Sequence, residues 1–401
     1  MYRCQPGRFS RHNLSMDRVE TLICGAGIAG VAIAYELAVI RGRHNILIVD
    51  PEPPLSVTSD KSTECYRDHW PDPAMRRLMS RSIERMEELD AKTGHRFRLN
   101  RNGYLYVAYT DEGAAQLEGS NLSTDVYKFC GEFPYLKSNP KAFLKVERAG
   151  WLTAQQLGAY LLEAARERGT RTLRDRAVSI DGRQCRLESG QEIQFDRFVN
   201  AAGSKFVDVC KFVDQNYDIE REWHRKFAIR HSGVPRDAPL IILADPIRLD
   251  WSQETKIELR NDPRTRPLTE TLPSGAHFRP EGDDWLLLLW SIGVEVDEQL
   301  HYEATLRACS RLLPSLESLI ERPPKPVIDG GYYVQALDNR PVLGEIEPGF
   351  YAMGAFSGYG IMAALGAAEI VANDMLGLGH DLDFSPTRLP GLKPGGDHGQ
   401  L

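Results

Sequence analysis

The stretch from Val19 to Asp50 constrains the fold more than any other part of the chain. An apolar run, Thr21-Leu22-Ile23-Cys24, meets Gly25-Ala26-Gly27-Ile28-Ala29-Gly30; an apolar helical segment follows, and Ile46-Leu47-Ile48-Val49 ends in Asp50. That order spells a βαβ unit. Gly25 permits the tight strand-to-helix turn, Gly27 lets the backbone approach a pyrophosphate, and Gly30 lets the helix pack closely on the sheet. The N–H groups of the turn and helix N-terminus, from Ala26 through Ile28 and Ala29, are the donors that such a turn offers to phosphates. Asp50 stands at the end of the second strand, where a carboxylate accepts hydrogen bonds from both hydroxyls of an adenosine ribose. A free 2′-hydroxyl is implied, which disfavours NADP. Glycines in a turn often do no more than join a strand to a helix. Here the preceding strand, the helix, the second strand and its terminal acid all fall at the required spacing, so the reading is dinucleotide binding. The motif alone does not separate FAD from NAD.

With 401 residues, of which 42 % are apolar, the chain is long enough to bury two cores. A net charge of −7, a pI near 5.9 and the lack of an extended basic face argue against nucleic acid or an anionic membrane as a partner. The seven cysteines are scattered without CxxC spacing. They predict neither a disulfide framework nor a metal site, and they fit a reducing, cytoplasmic compartment. No run of about eighteen uncharged apolar residues is present, so no membrane span is expected. Met1 to Asp17 faintly resembles a transit peptide but reads better as a tail, or as residues upstream of a start at Met16.

After Asp50 a polar loop runs from Ser59 to Trp70, dense in donor and reactive groups. Met75, Leu78, Met79, Ile83, Met86 and Leu89 then follow helical spacing between Ala74 and Asp90. Phe97 to Tyr109, turning at Asn102-Gly103, reads as a hairpin. A second amphipathic helix follows Thr153 and stops at Arg168-Gly169. Short strands turn at Asp181-Gly182 and Ser189-Gly190, and Phe195 to Val199 leads into Asn200-Ala201-Ala202-Gly203. From Asp214 to about Val327 the pattern changes to longer strands (Lys226 to Arg230, Pro239 to Ala244, His277 to Pro280, Trp285 to Ile292) and a helix from Tyr302 to Leu313. This predicts an antiparallel sheet. Phe350 to Ala355 is a buried strand, Phe356 to Gly360 a second glycine-rich turn, and Ile361 to Met375 a small-residue helix whose N-terminus is aimed at something anionic or electron-rich. The expected organisation is α/β: a discontinuous Rossmann-like domain from 18–80, 150–213 and 328–377, with an inserted antiparallel-sheet α+β substrate domain from 81–149 and 214–327. Residues 1–17 and 378–401, the latter rich in Pro386, Pro390, Pro394, Gly395 and Gly396, are expected as tails.

In the order and spacing of its motifs the chain resembles the FAD-dependent amine and amino-acid oxidoreductases of the D-amino-acid oxidase, glycine oxidase and sarcosine oxidase superfamily. The motifs are GAGIAG with Asp50, STECYR (Ser62 to Arg67), VNAAG (Val199 to Gly203), HFRP (His277 to Pro280), DNRPVLG (Asp338 to Gly344) and GAFSGYGIM (Gly354 to Met362). STECYR and DGGYY (Asp329 to Tyr333) mark a closer likeness to one branch. The resemblance implies FAD whose adenosine half lies on Gly25 to Asp50, with Val178 holding the adenine through its backbone and Ala202 and Gly203 approaching the pyrophosphate. Ser62, Thr63 and Arg67 would lie under the ribityl chain and ring. Asp338 and Arg340 would sit in the turn before the last strand. Gly354 and Ser357 would also contact the cofactor, and Gly358, Tyr359, Gly360, Ile361 and Met362 would aim N–H donors at the N1–C2=O edge. The substrate would lie opposite, under the antiparallel sheet. Two departures follow. Asp329-Gly330-Gly331-Tyr332-Tyr333 stands where amino-acid branches commonly carry a carboxylate-clamping arginine, and Trp285 to Trp290 occupies the strand on which the sarcosine branch carries an oxygen-activating lysine.

Cys65 and His69 lie in the loop expected near the ring. The family's cysteine attachment site falls near Gly331, where there is no cysteine, so non-covalent FAD is expected. Arg279 reads equally as a carboxylate ligand or a structural ion pair. Trp251, Trp290, Tyr332, Tyr333 and Tyr359 are candidates for an aromatic pocket wall, with some of them expected to be core. His224, beside Arg225 and Lys226, could be a base or an anion site, and a solvated strand end is the preferred reading. No Ser-His-Asp order stands out, which fits cofactor chemistry. The expected reaction removes a hydride from the carbon beside a substrate amine to flavin N5, giving an imine, with oxygen or another acceptor taking the electrons. The alternatives are a flavin-dependent 2-hydroxy-acid dehydrogenase and a non-catalytic FAD protein.

Overall fold

The computed structural model describes residues 17–118, 133–282 and 284–390. The apolar strand Asp17–Cys24 lies at the middle of an eight-stranded sheet, parallel to Ile46–Asp50 on one side and to Glu192–Asn200 on the other. Beyond these lie Arg171–Arg174 and Phe350–Gly354, both parallel to their neighbours, and then the antiparallel edge strand Val342–Glu347. The helix Ile28–Tyr35 is buried at all its positions. Its all-round apolarity follows from its surroundings, because it is packed between the helices Ala154–Glu167 and Gly360–Met375 beside the sheet.

The helix Pro73–Lys92 is capped by Asp72, whose carboxylate accepts from the N–H groups of Ala74 and Met75, and opens on a proline that needs no N–H partner. Its apolar face packs on the helix Gly360–Met375. One unbroken helix therefore crosses the boundary expected at residue 80 and stays with the dinucleotide side.

The second sheet has seven strands in the order Val327–Ala336, Ile219–Arg230, Trp285–Leu289, His277–Glu281, Leu240–Leu243, Tyr104–Ala108 and Ala142–Val146. It is antiparallel except for the pair Leu240–Leu243 with Tyr104–Ala108. The expected hairpin from Phe97 to Tyr109 does not form. Gly103 N–H donates to Ala149 O, and Asn100 Oδ1 accepts from the N–H groups of Asn102 and Trp151, so residues 100–103 are tied to the strand Ala149–Trp151. Long-range pairing outweighs the local Asn-Gly signal.

The strand Val327–Ala336 also departs from expectation. It pairs with Ile219–Arg230 from Ile219↔Ala336 to Ala228↔Val327, so residues 328–336 belong to the second sheet and the return to the first begins at Val342. The expected C-terminal tail is likewise packed over its described part. Phe384 and Ser385 are buried, Leu343 N–H donates to Phe384 O, and Arg388 pairs with Asp338. Pro386 starts a short 3-10 turn there. Pro394, Gly395 and Gly396, like residues 1–16, lie outside the described residues. Among the described residues no helix is long and apolar enough to cross a membrane.

Candidate active site

Three cavities meet end to end, the first along the eight-stranded sheet and the other two reaching the seven-stranded one. The first, about 590 Å³, runs from Asp50 and Val178 past Gly25 and Gly27 to Ala202 and Gly203. At Gly27 and Gly203 it meets a waist of about 110 Å³ bounded by Ser62, Thr63, Gly354 and Gly358. At Thr63, Cys65, Tyr333 and Gly358 the waist meets a third cavity of about 350 Å³ beneath the seven-stranded sheet.

The three motif glycines have distinct geometric reasons. A Cβ on Gly25 would lie 2.2 Å from Ala201 O, and one on Gly30 would lie 1.8 Å from Gly25 O. A Cβ on Gly27 would meet only Ser59 Oγ, at 3.4 Å, and would intrude on the cleft. Close packing thus requires the first and third, and access to the cleft requires the second. Asp50 is held at the cleft wall by the N–H groups of Ala26 (2.7 Å) and Glu52 (2.8 Å). Ionised acceptors have further lone pairs, so these two bonds aim the carboxylate without exhausting it. An elongated cleft with a bare backbone at its midpoint and an oriented carboxylate at one end fits a dinucleotide.

At the waist, Ala355 (φ +57°) and Ser357 (φ +46°) adopt left-handed backbone that costs a non-glycine residue about 1–3 kcal/mol. Ser357 N–H is tied to Val334 O and Tyr359 N–H to Phe356 O. The helix Gly360–Met375 begins at once, so the N–H groups of Gly360, Ile361 and Met362 have no intrahelical carbonyl. Gly360 and Ile361 line the waist, and Tyr359 and Met362 line the third cavity. Sterically, Gly354 makes room for the Phe206 ring, and Gly358 for that of Tyr333, whose Cε2 would lie 2.5 Å from a Cβ.

Of the aromatic candidates, Tyr333 and Tyr359 reach the third cavity. Tyr333 stacks on His224 at 4.0 Å between centroids and 16° between planes, and burial pushes its phenol up to about 12. Tyr359 donates to Asn339 O at 2.7 Å and meets Trp70 edge-on at 5.3 Å. Tyr332 borders the waist, but its side chain is on the outer face of its strand. It is 39 % exposed, lies edge-on to Trp223 and sits beneath the Arg221 guanidinium. Strand alternation sends only one member of the Tyr-Tyr pair inward. Trp290 and Trp251 belong to the core under the second sheet, with their indole N–H groups on Pro273 O and Leu268 O respectively.

The charged candidates sort in the same way. Arg67 lines the third cavity, hydrogen-bonded to the Tyr106 hydroxyl and 4.7 Å over the Trp70 ring. Arg279 does not line it. Arg279 is 1 % exposed, pairs with Glu281 on its own strand, donates to Thr63 O at 2.9 Å and lies over Trp151. Its alternation position faces the loop Ser62 to Cys65, so it is the structural ion pair of the two readings and positions that loop. Asp338 and Arg340 are likewise spent on packing. Asp338 holds Arg388, and Arg340 holds the helix cap Asp72 and Asp383. Neither lines any of the three cavities. Cys65 lines the waist, but burial raises its thiol pKa, which disfavours the thiolate needed for covalent attachment. His69 is buried away from all three cavities, and desolvation lowers it to about 4.

Of the polar residues in the third cavity, Glu222 and Ser291 have no role in the sequence reading, and His224 stands there as a base or anion site ranked below a solvated strand end. Far from being a solvated strand end, His224 bridges Glu222 and Ser291. The signal was present as alternation. Glu222, His224 and Lys226 share one face of a strand, opposite Tyr333, Gly331 and Asp329. Lys226 donates to Ser62 O at 2.9 Å, and burial lowers its ammonium pKa. A lysine therefore reaches the back of the Ser62-Thr63 loop from the strand next to the one on which it was sought.

A glycine cradle joined through a donor-lined waist to a separate substrate-sized cavity defines a dinucleotide-dependent redox enzyme. The chain matches the family described as FAD dependent oxidoreductase over residues 20–373, and it belongs to that family. It is therefore a flavoenzyme, and FAD is its cofactor. In fold it is similar to L-proline dehydrogenase from P. horikoshii (TM-score 0.76, 20 % identity, covering 94 % of this chain and 98 % of that one). It is also similar to glycine oxidase from Geobacillus kaustophilus (0.73, 18 %, 93 % and 99 %). A third similar structure is L-alpha-glycerophosphate oxidase from Mycoplasma pneumoniae with FAD bound (0.66, 15 %, 90 % and 95 %). No curated protein sequence matches the chain.

Proposed function

We propose that the chain oxidises the C–N bond of an amine or amino acid to an imine, which water then hydrolyses. FAD is read with its ribose at Asp50 and adenine at Val178, its pyrophosphate between Gly27 and Gly203, and its ring at the waist. When bound there it supplies the hydride acceptor. The observation that carries the reading is the third cavity, which meets the waist at Thr63, Cys65, Tyr333 and Gly358 and is walled by Tyr333, Tyr359 and Trp70. These residues orient a substrate and exclude water from the face on which hydride leaves. Arg67 gives a carboxylate a cation at the same wall. The proline dehydrogenase and glycine oxidase among the similar structures act on such substrates by name. Lys226 places a half-buried cationic side chain beside the ring loop, which favours oxygen as electron acceptor.

Anaerobic mixing of the holoenzyme with panels of amines, amino acids and 2-hydroxy acids tests the reading. Bleaching of the flavin by an amine or amino acid is the expected result. Arg67→Leu should raise KM for carboxylate-bearing substrates by about tenfold or more, and should do so far less for amines without a carboxylate. Bleaching by hydroxy acids alone would reject C–N oxidation. A second site variant probes the waist. Gly358→Val drives a side chain into the Tyr333 ring, so flavin reduction should slow by about a hundredfold while FAD stays bound. Reduction at the normal rate would show that this turn does no more than connect two elements.

A further inference from the structure

We propose that Ser291, His224 and Glu222 form a proton acceptor for the substrate, built from the strand Ile219–Arg230 and the segment that follows the strand Trp285–Leu289. Ser291 Oγ lies 2.9 Å from His224 Nδ1, and His224 Nε2 lies 3.1 Å from Glu222 Oε2. All three residues line the third cavity. The chain is a serine, histidine and carboxylate in hydrogen-bond sequence, visible in geometry although their order along the polypeptide hides it. An ionised Glu222 can only accept, so Nε2 carries the histidine proton and Nδ1 is left to accept from the Ser291 hydroxyl. The hydrogen bond from His224 holds the Glu222 carboxyl below its ordinary range. Stacking on Tyr333 fixes the ring plane. Glu222 is the outer member, its side chain 62 % exposed, and His224 is largely enclosed at 17 %.

This inference rests on the amine reading and deepens it. An amine at neutral pH arrives as an ammonium ion and has no lone pair until it loses a proton. Its N–H bond breaks as Ser291 Oγ takes that proton and passes its own to His224 Nδ1. The electron pair stays on the substrate nitrogen, and the imidazolium is stabilised by Glu222. His224 keeps the proton until product leaves, and water at the cavity mouth then removes it. The groups around His224 divide by sign. Glu222, and Asp329 on the partner strand, favour its protonation. Arg225 and Lys226 on its own strand, Lys61 beside it, and Arg67 across the cavity oppose it. His301, on the helix Glu298–Ser310, is kept neutral by burial and takes Arg225 as a hydrogen-bond partner. Tyr333 remains a neutral phenol.

The test is the pH profile of kcat/KM for anaerobic flavin reduction by the holoenzyme, in wild type, His224→Gln and Ser291→Ala. Without the acceptor only free neutral amine reacts. The acidic limb should therefore move up by about two to four units, toward the pKa of the free amine, and the rate at pH 7 should fall correspondingly by about 10²–10⁴-fold. Near the amine's own pKa the variants should approach wild type. A loss equal at every pH, or an unmoved limb, would overturn the relay and leave a merely structural histidine. If hydroxy acids rather than amines reduce the wild type, the amine reading fails while the same profiles still judge the acceptor. A readout without turnover stands beside them. The His224 ring N–H proton signal, assigned by its loss in His224→Gln, should be lost to faster solvent exchange in Glu222→Ala holoenzyme, and an unchanged signal would overturn the proposal.

Discussion

Gly30→Ala should yield protein that either fails to fold or folds without retaining FAD. The added Cβ would sit 1.8 Å from Gly25 O and 2.9 Å from Gly25 C. Both are backbone atoms of the same tight turn, so no flexible side chain can yield. Overpacking of a core ordinarily costs about 1–3 kcal/mol, and contact this close with backbone belongs at or above the upper end. Relief requires the helix Ile28–Tyr35 to move off the strand Asp17–Cys24. That helix is buried throughout, so the motion opens the core that also positions its N-terminal donors. Loss of a ligand present at a hundred times its Kd would remove about 2.7 kcal/mol more. Flavin content of the purified variant and its thermal midpoint measure both effects. Gly27→Ala is the control. Its Cβ meets only Ser59 Oγ at 3.4 Å, so the fold should persist while FAD affinity falls. If Gly30→Ala kept wild-type flavin stoichiometry and stability, close helix packing would not be the reason for that glycine.

The contrast between these two glycines also explains how much could be read in advance. The strand, glycine turn, helix and second strand from Val19 to Asp50 were legible because Gly30 packs on Gly25 and Asp50 holds Ala26 within one βαβ unit, where sequence spacing fixes spatial spacing; the contact of Gly25 with Ala201 was not legible. The strand, turn and helix from Phe350 to Met375 were legible from local spacing in the same way, whereas the contacts of Ser357 with Val334 and of Gly358 with Tyr333 were not. Arg279 was not, because its role depends on Glu281 and on Thr63, a residue 216 positions away. Asp338 and Arg340 look like site residues on a motif, yet their partners Asp72, Asp383 and Arg388 come from two other parts of the chain. Those ion pairs also explain why the expected C-terminal tail is packed. The substrate side was least legible. Glu222 and His224 gain meaning only when register sets them against Tyr333 and Gly331, and Ser291 joins them from a third segment. Periodicity shows which residues share a face, and it does not show what that face will meet.

Glu36→Ala should destabilise the protein by about 3–5 kcal/mol, because it removes the nearer of the two carboxylates that hold the buried Arg85 and leaves only Glu369, 3.5 Å away. The Glu36 side chain is 1 % exposed and accepts from Arg41 Nε at 2.8 Å and from Arg85 Nη2 at 2.5 Å. Arg85 in turn donates to Leu365 O at 2.8 Å. Glu36 thus ties together the helix Pro73–Lys92, the helix Gly360–Met375 and the π-helical turn Glu36–Ile40 that continues the motif helix. Two of these helices carry the N-termini that line the cleft and the waist, so the pair sets their relative register. Exposed pairs such as Arg18 with Asp196, at 70 % and 48 % side-chain exposure, should contribute at most about 1 kcal/mol by comparison. Urea unfolding of the holoenzyme at fixed FAD measures the difference, and a shift below about 0.5 kcal/mol would contradict it. The double variant Glu36→Leu with Arg85→Leu separates two causes of the loss. If the cost is the under-compensated charge of Arg85, removing both ions should recover most of the stability, since apolar replacement of a buried pair is often neutral or better. If the double variant regains stability yet reduces its flavin more slowly, the ion pair is retained because it fixes the register of the two helix N-termini at the cofactor.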